Sequence, residues 1–151
     1  MRPARWRYLQ KAISLTGTPY LWGGRARDGV DCFGLVAVAL YEASDGFADI
    51  RKGWWTDRAW NELPDAAVPL PGDLVFYGGE GKDVSHVMVL LYPKHTAWCP
   101  TGLVLGASGG DSTTTSLERA MEQGAVVTVK PSIHYRSGFR GFRSVAEWLE
   151  P

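Results

Sequence analysis

The apolar residues of this chain follow one spacing near its start and another from residue 72 onward. Up to residue 44 they recur every three or four positions, which predicts helices over 3–16 and 32–44. From residue 72 they form short runs rich in Val and Leu, which predict strands at 72–78, 84–92, 102–107, 126–130 and 138–145. Because the helices precede the strands and do not alternate with them, the expected fold class is α+β with an antiparallel sheet.

The first predicted helix is amphipathic. Its apolar face is expected to carry Trp6, Leu9, Ala12 and Ile13, and Gly17 follows as a residue that can end a helix in the left-handed conformation. Shorter helices are predicted at 56–61, 116–123 and 144–149.

The second long helix begins directly after Asp31, with Cys32 in its first turn. Aspartate is among the best N-cap residues because its carboxylate accepts unpaired N–H groups of the first turn. A thiol at this position lies at the positive end of the helix dipole, where it is expected to ionise more easily and to act as a nucleophile. The alternative is a cysteine buried as a small apolar residue.

The loop before this helix and the helix start resemble the signature of the NlpC/P60 family of papain-like cysteine peptidases. That signature reads approximately G-x-P-Y-x-W-G-G, a short loop, then G-x-D-C-S-G-L-V. The identical positions are Gly17, Pro19, Tyr20, Trp22, Gly23, Gly24, Gly29, Asp31, Cys32, Gly34, Leu35 and Val36. The chain departs at Phe33, where the family usually has Ser, and we expect this change to affect specificity more than catalysis.

Two later stretches, 71–76 and 85–87, also match motifs of the family, so the resemblance covers about residues 10–110. It implies a papain-like NlpC/P60 fold, in which N-terminal helices pack on an antiparallel sheet of about five strands. The stretch 106–115 is also similar to phage-type members of the family.

A cysteine nucleophile needs a base beside its thiol. The chain has three histidines, His86, His95 and His134. His86 begins a predicted strand after a Gly-rich loop, and the resemblance implies that it is the catalytic base. His95 lies in an irregular stretch beside Lys94 and is expected to be solvated, whereas His134 lies beyond the matched stretch.

The third catalytic position is where the sequence departs most from the family. Most members carry a polar residue there, usually His, and the alignment puts Gly106 at this position. Strand alternation places Ser108 on the same face, which makes Ser108 the first substitute for orienting the base and Asp111 the second. A backbone carbonyl or a water molecule could also orient the imidazole. A histidine introduced at Gly106 is expected to fit.

Aromatic residues near the signature have two interpretations. The resemblance implies that Tyr20 reaches the catalytic thiol and helps to bind the attacked carbonyl, and the alternative for Tyr20 is a core aromatic. Trp22 is expected to contact the substrate, together with the capping residue Asp31. The group Trp54, Trp55 and Trp60 could form a wall of the substrate site, although packing over the helices is the favoured interpretation.

The resemblance implies hydrolysis of the stem peptides of bacterial peptidoglycan, commonly at the bond between γ-D-glutamate and a diamino acid. The Cys32 thiolate would attack the carbonyl, His86 would protonate the leaving amine, and water would release the acyl-enzyme. Two alternatives belong to other classes of protein. One is an amidase or acyltransferase on a related scaffold, and the other is an inactive wall-binding module that lacks the third residue.

Composition limits the expected partners. Sixteen basic residues balance sixteen acidic ones, so the chain is not expected to bind nucleic acid or an anionic membrane surface. No run approaches the roughly 18 apolar residues of a membrane span. The Cys and His residues lack the paired spacing of a metal site and no phosphate loop is present, so neither a metal nor a cofactor is expected. A disulfide between Cys32 and Cys99 is not expected, because it would consume the nucleophile.

The first residues do not resemble a secretion signal, because Gln10 and Lys11 interrupt the apolar run that should follow the early arginines. With no linker, repeat or low-complexity segment, residues 1–151 are expected to form a single catalytic domain. Such an enzyme would be made in the cytoplasm and would reach the bacterial cell wall through another system, for example a phage tail or a secretion apparatus.

Overall fold

Five helices and seven strands make up the part of the chain that the computed structural model describes, which is residues 1–79, 81, 83–94 and 100–150. The helices are α1 (Pro3–Ser14), α2 (Cys32–Ala43), α3 (Thr56–Glu62), α4 (Leu117–Gln123) and α5 (Ala146–Leu149). The strands are β1 (Arg25–Ala26), β2 (Gly29–Val30), β3 (Leu74–Gly78), β4 (Val84–Tyr92), β5 (Leu103–Ser108), β6 (Val126–Lys130) and β7 (Phe139–Arg143). None of the helices in these ranges is long and apolar enough to cross a membrane.

Strands β3 to β7 form one antiparallel sheet in the order β6-β5-β4-β3-β7. Strands β3, β4, β5 and β6 lie side by side in chain order, whereas β7 returns to the edge beside β3. Phe76 in β3 pairs with Val87 in β4 and with Gly141 in β7. The predicted α+β class, with helices first and a five-stranded antiparallel sheet after them, is confirmed.

Side chains alternate between the two faces of this sheet. On one face, which we call the helical face, Phe76, Val89 and Leu105 pack into the main core with α1 and α2. On the opposite face, which we call the far face, a second buried cluster consists of Val75, Tyr77, Met88, Leu90, Val104 and Ile133. Tyr135, Phe139 and Phe142 cover part of the far face.

Helix α2 is the central element of the helical face. Every residue from Phe33 to Leu40 is buried, because α2 packs against α1 on one side and against β4 and β5 on the other. At the start of α2, Gly34 approaches the backbone carbonyl of Gly24 so closely that a Cβ atom would overlap it. The contact between the signature loop and the helix therefore requires a residue without a side chain at Gly34.

The apolar face predicted for α1 is wrong in part. Trp6 and Ile13 are 53% and 48% exposed, whereas Arg5 and Tyr8 are buried. An ion pair explains this rotation of the helix, since Arg5 Nη1 lies 3.1 Å from Asp73 Oδ1 and both side chains are buried. A buried charge is tolerated where it is paired and hydrogen-bonded, so Arg5 faces the core in place of Trp6.

Strands β1 and β2 form a short hairpin that the sequence pattern does not predict. Arg25 pairs with Val30 and Ala26 pairs with Gly29. Strands of two residues are too short to show an alternating pattern, so periodicity carries no signal for them. The hairpin lies directly before Asp31 and sets the direction in which the chain enters α2.

Candidate active site

A cleft of about 580 Å³ lies where the start of α2 meets the start of β4. The loop after β5 and the start of α3 line its other sides. The residues predicted for the site all line this cleft, and they are Tyr20, Trp22, Asp31, Cys32, His86 and Ser108. The fold therefore brings together side chains from the signature loop, from β4 and from β5.

Asp31 caps α2, as the sequence predicts. Its Oδ1 accepts a hydrogen bond from the Gly34 N–H at 2.7 Å, and its Oδ2 accepts one from the Gly23 N–H at 3.1 Å. The guanidinium of Arg25 lies 3.9 Å from the same carboxylate. Asp31 thus joins the signature loop to the helix and fixes Cys32 as the first residue of α2.

The Cys32 thiol is partly buried and surrounded by hydrogen-bond donors. Its Sγ lies 3.8 Å from Thr56 Oγ1, and the backbone N–H of Val87 also reaches it. These contacts lower the pKa of the thiol, but burial raises the pKa by more, and the Asp31 carboxylate adds to the increase. The net pKa of Cys32 is raised, so the predicted easing of ionisation at the helix start is outweighed by burial.

His86 is 7% exposed. Burial, with a smaller contribution from the Arg136 cation, lowers the pKa of His86 to about 3. The imidazole is therefore neutral at pH 7. Because the pKa of Cys32 is raised, the cleft holds a neutral thiol and a neutral imidazole at rest, and a neutral imidazole is the form that can accept a proton.

The hydrogen-bond partner of the His86 ring is Tyr135. The His86 Nε2 atom lies 2.8 Å from the Tyr135 hydroxyl oxygen. Tyr135 lies between β6 and β7, and its ring packs edge-on against Tyr77 with 5.6 Å between the ring centroids. The sequence analysis misses this residue, because 49 positions separate it from His86 and its segment has neither a periodic pattern nor a matched motif.

Gly106 lies on the far face, but the space beside it is filled. A Cβ atom at Gly106 would overlap Sδ of Met88, a side chain that is only 1% exposed. The expectation that a histidine fits at Gly106 is therefore wrong, because such a side chain requires Met88 to move.

The two substitutes predicted for the third position line the cleft, but the hydrogen bond that the structure gives the imidazole joins it to Tyr135. Burial raises the pKa of the Tyr135 phenol overall, whereas hydrogen bonds with the Arg136 and Ser108 side chains, which lie beside the hydroxyl, act to lower it. The Asp111 carboxylate accepts a hydrogen bond from the Thr113 N–H at 2.7 Å and is engaged within its own turn.

Tyr20 is 5% exposed and lies beside the thiol. Burial raises the pKa of its phenol, and Cys32 lies close enough to add to that increase, as do Asp31 and Asp111. The ring packs so closely over Gly110 that a side chain at Gly110 would overlap it. Tyr20 is thus a core aromatic that also lines the cleft, and its predicted contact with the attacked carbonyl stays a prediction.

The tryptophans divide between the two roles considered for them. Trp22 and Trp55 line the cleft and are 56% and 54% exposed. Trp54 instead packs edge-on against Trp148, with 5.2 Å between the ring centroids, and Trp60 packs on the helical face of the sheet. Two flat apolar surfaces therefore remain available at the cleft.

The other histidines are not brought to the cleft in the described part of the chain. His134 is exposed, and its ring packs against Phe139 at 5.3 Å between centroids. His95 and Cys99 lie outside the described residues, so the predictions made for them stay predictions. Within the described ranges, no three His, Cys, Asp or Glu side chains are grouped so that they could hold a metal ion.

Comparison with known proteins assigns this chain to a family. The model of the NlpC/P60 family matches residues 17–131, which is more than half of the chain. The chain belongs to the NlpC/P60 family. The matched range contains Cys32 and His86 and ends before Tyr135, so the residue that contacts the imidazole lies beyond the part that the NlpC/P60 model describes.

Two relatives of this NlpC/P60 chain have names that state an activity. The probable peptidoglycan endopeptidase LytE of Bacillus subtilis is 29% identical over 83 residues, which are 55% of this chain and 23% of LytE. The probable endopeptidase NlpC of Escherichia coli is 38% identical over 72 residues, which are 47% of this chain and 46% of that protein. The matched part thus spans less than half of the length of either relative.

Solved NlpC/P60 structures share the fold. The NlpC/P60 domain of the peptidoglycan hydrolase SagA has a TM-score of 0.63 at 22% identity and covers 93% of this chain and 98% of that domain. A family member from Bacillus cereus ATCC 10987 has a TM-score of 0.64 at 19% identity, covering 99% of this chain and 41% of that one. RipD from Mycobacterium tuberculosis, described as a non-catalytic NlpC/P60 domain protein adapted to peptidoglycan binding, has a TM-score of 0.54 at 19% identity, covering 96% of this chain and 99% of RipD.

Proposed function

We propose that this NlpC/P60 domain is a cysteine peptidase that cleaves the stem peptides of bacterial peptidoglycan. The observation that carries the proposal is the meeting of Cys32 and His86 in one cleft, with the imidazole Nε2 held 2.8 Å from a hydroxyl. A thiol beside an oriented imidazole is suited to nucleophilic acyl transfer. The names of the relatives LytE and NlpC support the substrate class and the reaction class.

In the first step, the sulfur of Cys32 attacks the carbonyl carbon of the substrate while its proton moves to His86. Tyr135 engages Nε2, so Nδ1 is the ring nitrogen left to accept this proton. The low pKa of His86 keeps the imidazole neutral and able to accept, and the raised pKa of Cys32 means that the thiol loses its proton during the attack and not before it.

The attack places negative charge on the carbonyl oxygen, which needs hydrogen-bond donors. The Tyr20 phenol stays protonated because its pKa is raised, and it lies beside the thiol. Backbone N–H groups at the start of α2 are further donors, and the helix dipole makes this end suitable for negative charge. His86 then protonates the leaving amine, and a water molecule that gives its proton to the same imidazole hydrolyses the thioester and restores the thiol.

The proposed scissile bond joins γ-D-glutamate to a diamino acid. A stem peptide of this kind carries both carboxylate and amino groups, and the cleft presents charges of both signs from Arg136, Asp57 and Asp111. The exposed rings of Trp22 and Trp55 offer apolar surfaces for the aliphatic parts of the peptide.

The test is digestion of purified peptidoglycan followed by mass spectrometry of the released fragments. Release of free stem-peptide fragments with a new amine on the diamino acid supports the proposal. Cleavage between sugar and peptide identifies an amidase instead. The control is Cys32→Ala, which removes the nucleophile and leaves the Asp31 cap in place.

A wall-binding module without activity is the second candidate, and the similarity to RipD is the observation that favours it. Sedimentation with insoluble peptidoglycan distinguishes the two functions. Binding without any released fragment, unchanged in Cys32→Ala, would support the binding module and contradict the peptidase.

A further inference from the structure

The residue that is hydrogen-bonded to the His86 ring lies outside both the family signature and the matched range. His86 lines the cleft, and its Nε2 atom lies 2.8 Å from the Tyr135 hydroxyl oxygen. The Tyr135 ring is held from the side by Tyr77, at 5.6 Å between centroids, and meets the His86 ring at 6.4 Å. Packing therefore fixes the phenol at the far end of the imidazole.

Most family members orient this base with a side chain at the position that Gly106 occupies here, and this chain has no room for a side chain there. Gly106 has no side chain, and Met88 fills the space where one would start. Met88 belongs to the same far-face cluster that Tyr135 covers. The far face is therefore packed for a phenol that arrives from the segment between β6 and β7, and not for a side chain from β5.

We propose that Tyr135 is the positioning residue of this site, which holds the His86 imidazole in the tautomer that carries its hydrogen on Nε2. The hydroxyl oxygen of Tyr135 accepts that hydrogen, and Nδ1 is left unprotonated and free to accept the thiol proton. The catalytic consequence of this contact rests on the proposed peptidase function, whereas the contact and the tautomer do not.

A tyrosine can do this only if its own hydrogen goes elsewhere, because a phenol that donates to Nε2 would select the opposite tautomer. The Arg136 and Ser108 side chains both lie within hydrogen-bond reach of the hydroxyl. A guanidinium can only donate, so Ser108, whose hydroxyl can also accept, is the group that takes the phenol hydrogen. Burial raises the pKa of Tyr135, so the phenol keeps its hydrogen at neutral pH and has one acceptor and one donor to use. The chain of hydrogen bonds then runs from His86 through Tyr135 to Ser108.

The experiment compares the full chain with Tyr135→Phe, which keeps the ring and removes only the hydroxyl. The matched control is Tyr77→Phe, which removes a hydroxyl from the same aromatic cluster where that hydroxyl donates to the Ile133 carbonyl at 2.7 Å and not to His86. The 15N chemical shifts of the His86 ring, assigned with His86→Gln, report the tautomer without any need for turnover.

We expect the unaltered chain and Tyr77→Phe to show a protonated Nε2 and an unprotonated Nδ1. Tyr135→Phe should show a mixture of tautomers, and its kcat should fall roughly tenfold to a hundredfold with little change in KM, as for the loss of a group that orients a catalytic imidazole. Ser108→Ala should change the tautomer in the same direction to a smaller extent, and it gives the answer if Tyr135→Phe does not fold.

An unchanged His86 spectrum in Tyr135→Phe overturns the proposal, as does a hydrogen on Nδ1 in the unaltered chain. A tautomer shift in Tyr135→Phe, together with no hydrolysis of peptidoglycan by the unaltered chain, would leave the positioning role intact and reject the peptidase function. The two failures are therefore distinguishable.

Discussion

The two faces of the sheet supply the two halves of the site in different ways. The nucleophile belongs to the helical face, where Cys32 begins a helix that is buried against β4 and β5. The base belongs to the far face, where His86 lies against Tyr77 and is bonded to Tyr135. The first half is built by a cap and a loop close in sequence, whereas the second is assembled from segments 49 positions apart. Local sequence thus places the thiol, and tertiary packing orients the base.

The largest expected effect comes from removing the nucleophile on the helical face. Cys32→Ala should abolish hydrolysis of peptidoglycan, because no other thiol is brought to the cleft by the described residues. The thermal midpoint should change little, since the cap bonds of Asp31 go to backbone N–H groups that the substitution keeps. Fragment release by mass spectrometry and a thermal melt measure the two quantities.

Cys32→Ser is the matched control, because it is nearly isosteric and replaces the thiol with a much poorer nucleophile. It should be as inactive as Cys32→Ala. Hydrolysis at the original rate in either variant would show that the helical face does not hold the reacting atom.

The second prediction concerns the ion pair that joins the helical face to α1. Asp73→Ala should destabilise the fold by about 3–5 kcal/mol, because it leaves the Arg5 guanidinium buried without its partner. It also removes the acceptor for the backbone N–H groups of Leu70 and Val145. Urea unfolding, monitored by tryptophan fluorescence, gives the difference in free energy.

The double variant Arg5→Met with Asp73→Ala tests the cause. If the unpaired charge dominates, the double variant should be more stable than Asp73→Ala alone. Equal stability of the two would mean that the lost backbone bonds, and not the charge of Arg5, carry the effect.

Features encoded within a few residues were predictable from their own pattern, whereas the meeting of Cys32 and His86 in one cleft was predictable only through the family resemblance. The cap at Asp31, the start of α2 and both ends of β4 follow from local pattern and turn chemistry. The pairing of Arg5 with Asp73 spans 68 positions, and that of His86 with Tyr135 spans 49. Such contacts depend on strand register and helix rotation, which a single sequence does not display. For the same reason, the sequence shows at Gly106 that the usual orienting side chain is missing, but it does not show which residue contacts His86 instead.

The third prediction uses the buried base on the far face as a reporter of pH. The pKa of His86 is lowered to about 3 in the folded chain, against about 6.5 for an unfolded histidine. Between these values the unfolded chain binds a proton that the folded chain excludes. The contribution of His86 to the free energy of unfolding is therefore fully present above pH 6.5. It falls as the pH decreases, by at most about 1.4 kcal/mol per pH unit.

His86→Gln separates this contribution from the other titrating groups. The difference in unfolding free energy between the unaltered chain and this variant should decrease from pH 7 to pH 4. A difference that stays constant over this range would mean that His86 is accessible to solvent and protonates in the folded chain.

The last prediction concerns Gly106, the point at which the far face departs from its family. Gly106→His should destabilise the fold by about 1–3 kcal/mol, because the new side chain overlaps Met88 in a closely packed cluster. The cost stays moderate because the atom in the way is near the end of a flexible side chain.

In a Met88→Ala background, the space left by the thioether should accept part of the imidazole. The cost of Gly106→His should therefore be smaller in that background, and a double-mutant cycle from urea unfolding gives the coupling between the two positions. Independent, additive effects would mean that the histidine leaves the far face without touching Met88. A coupled pair would instead show that this face is packed around the glycine, so that position 106 has no room for a side chain that could orient His86.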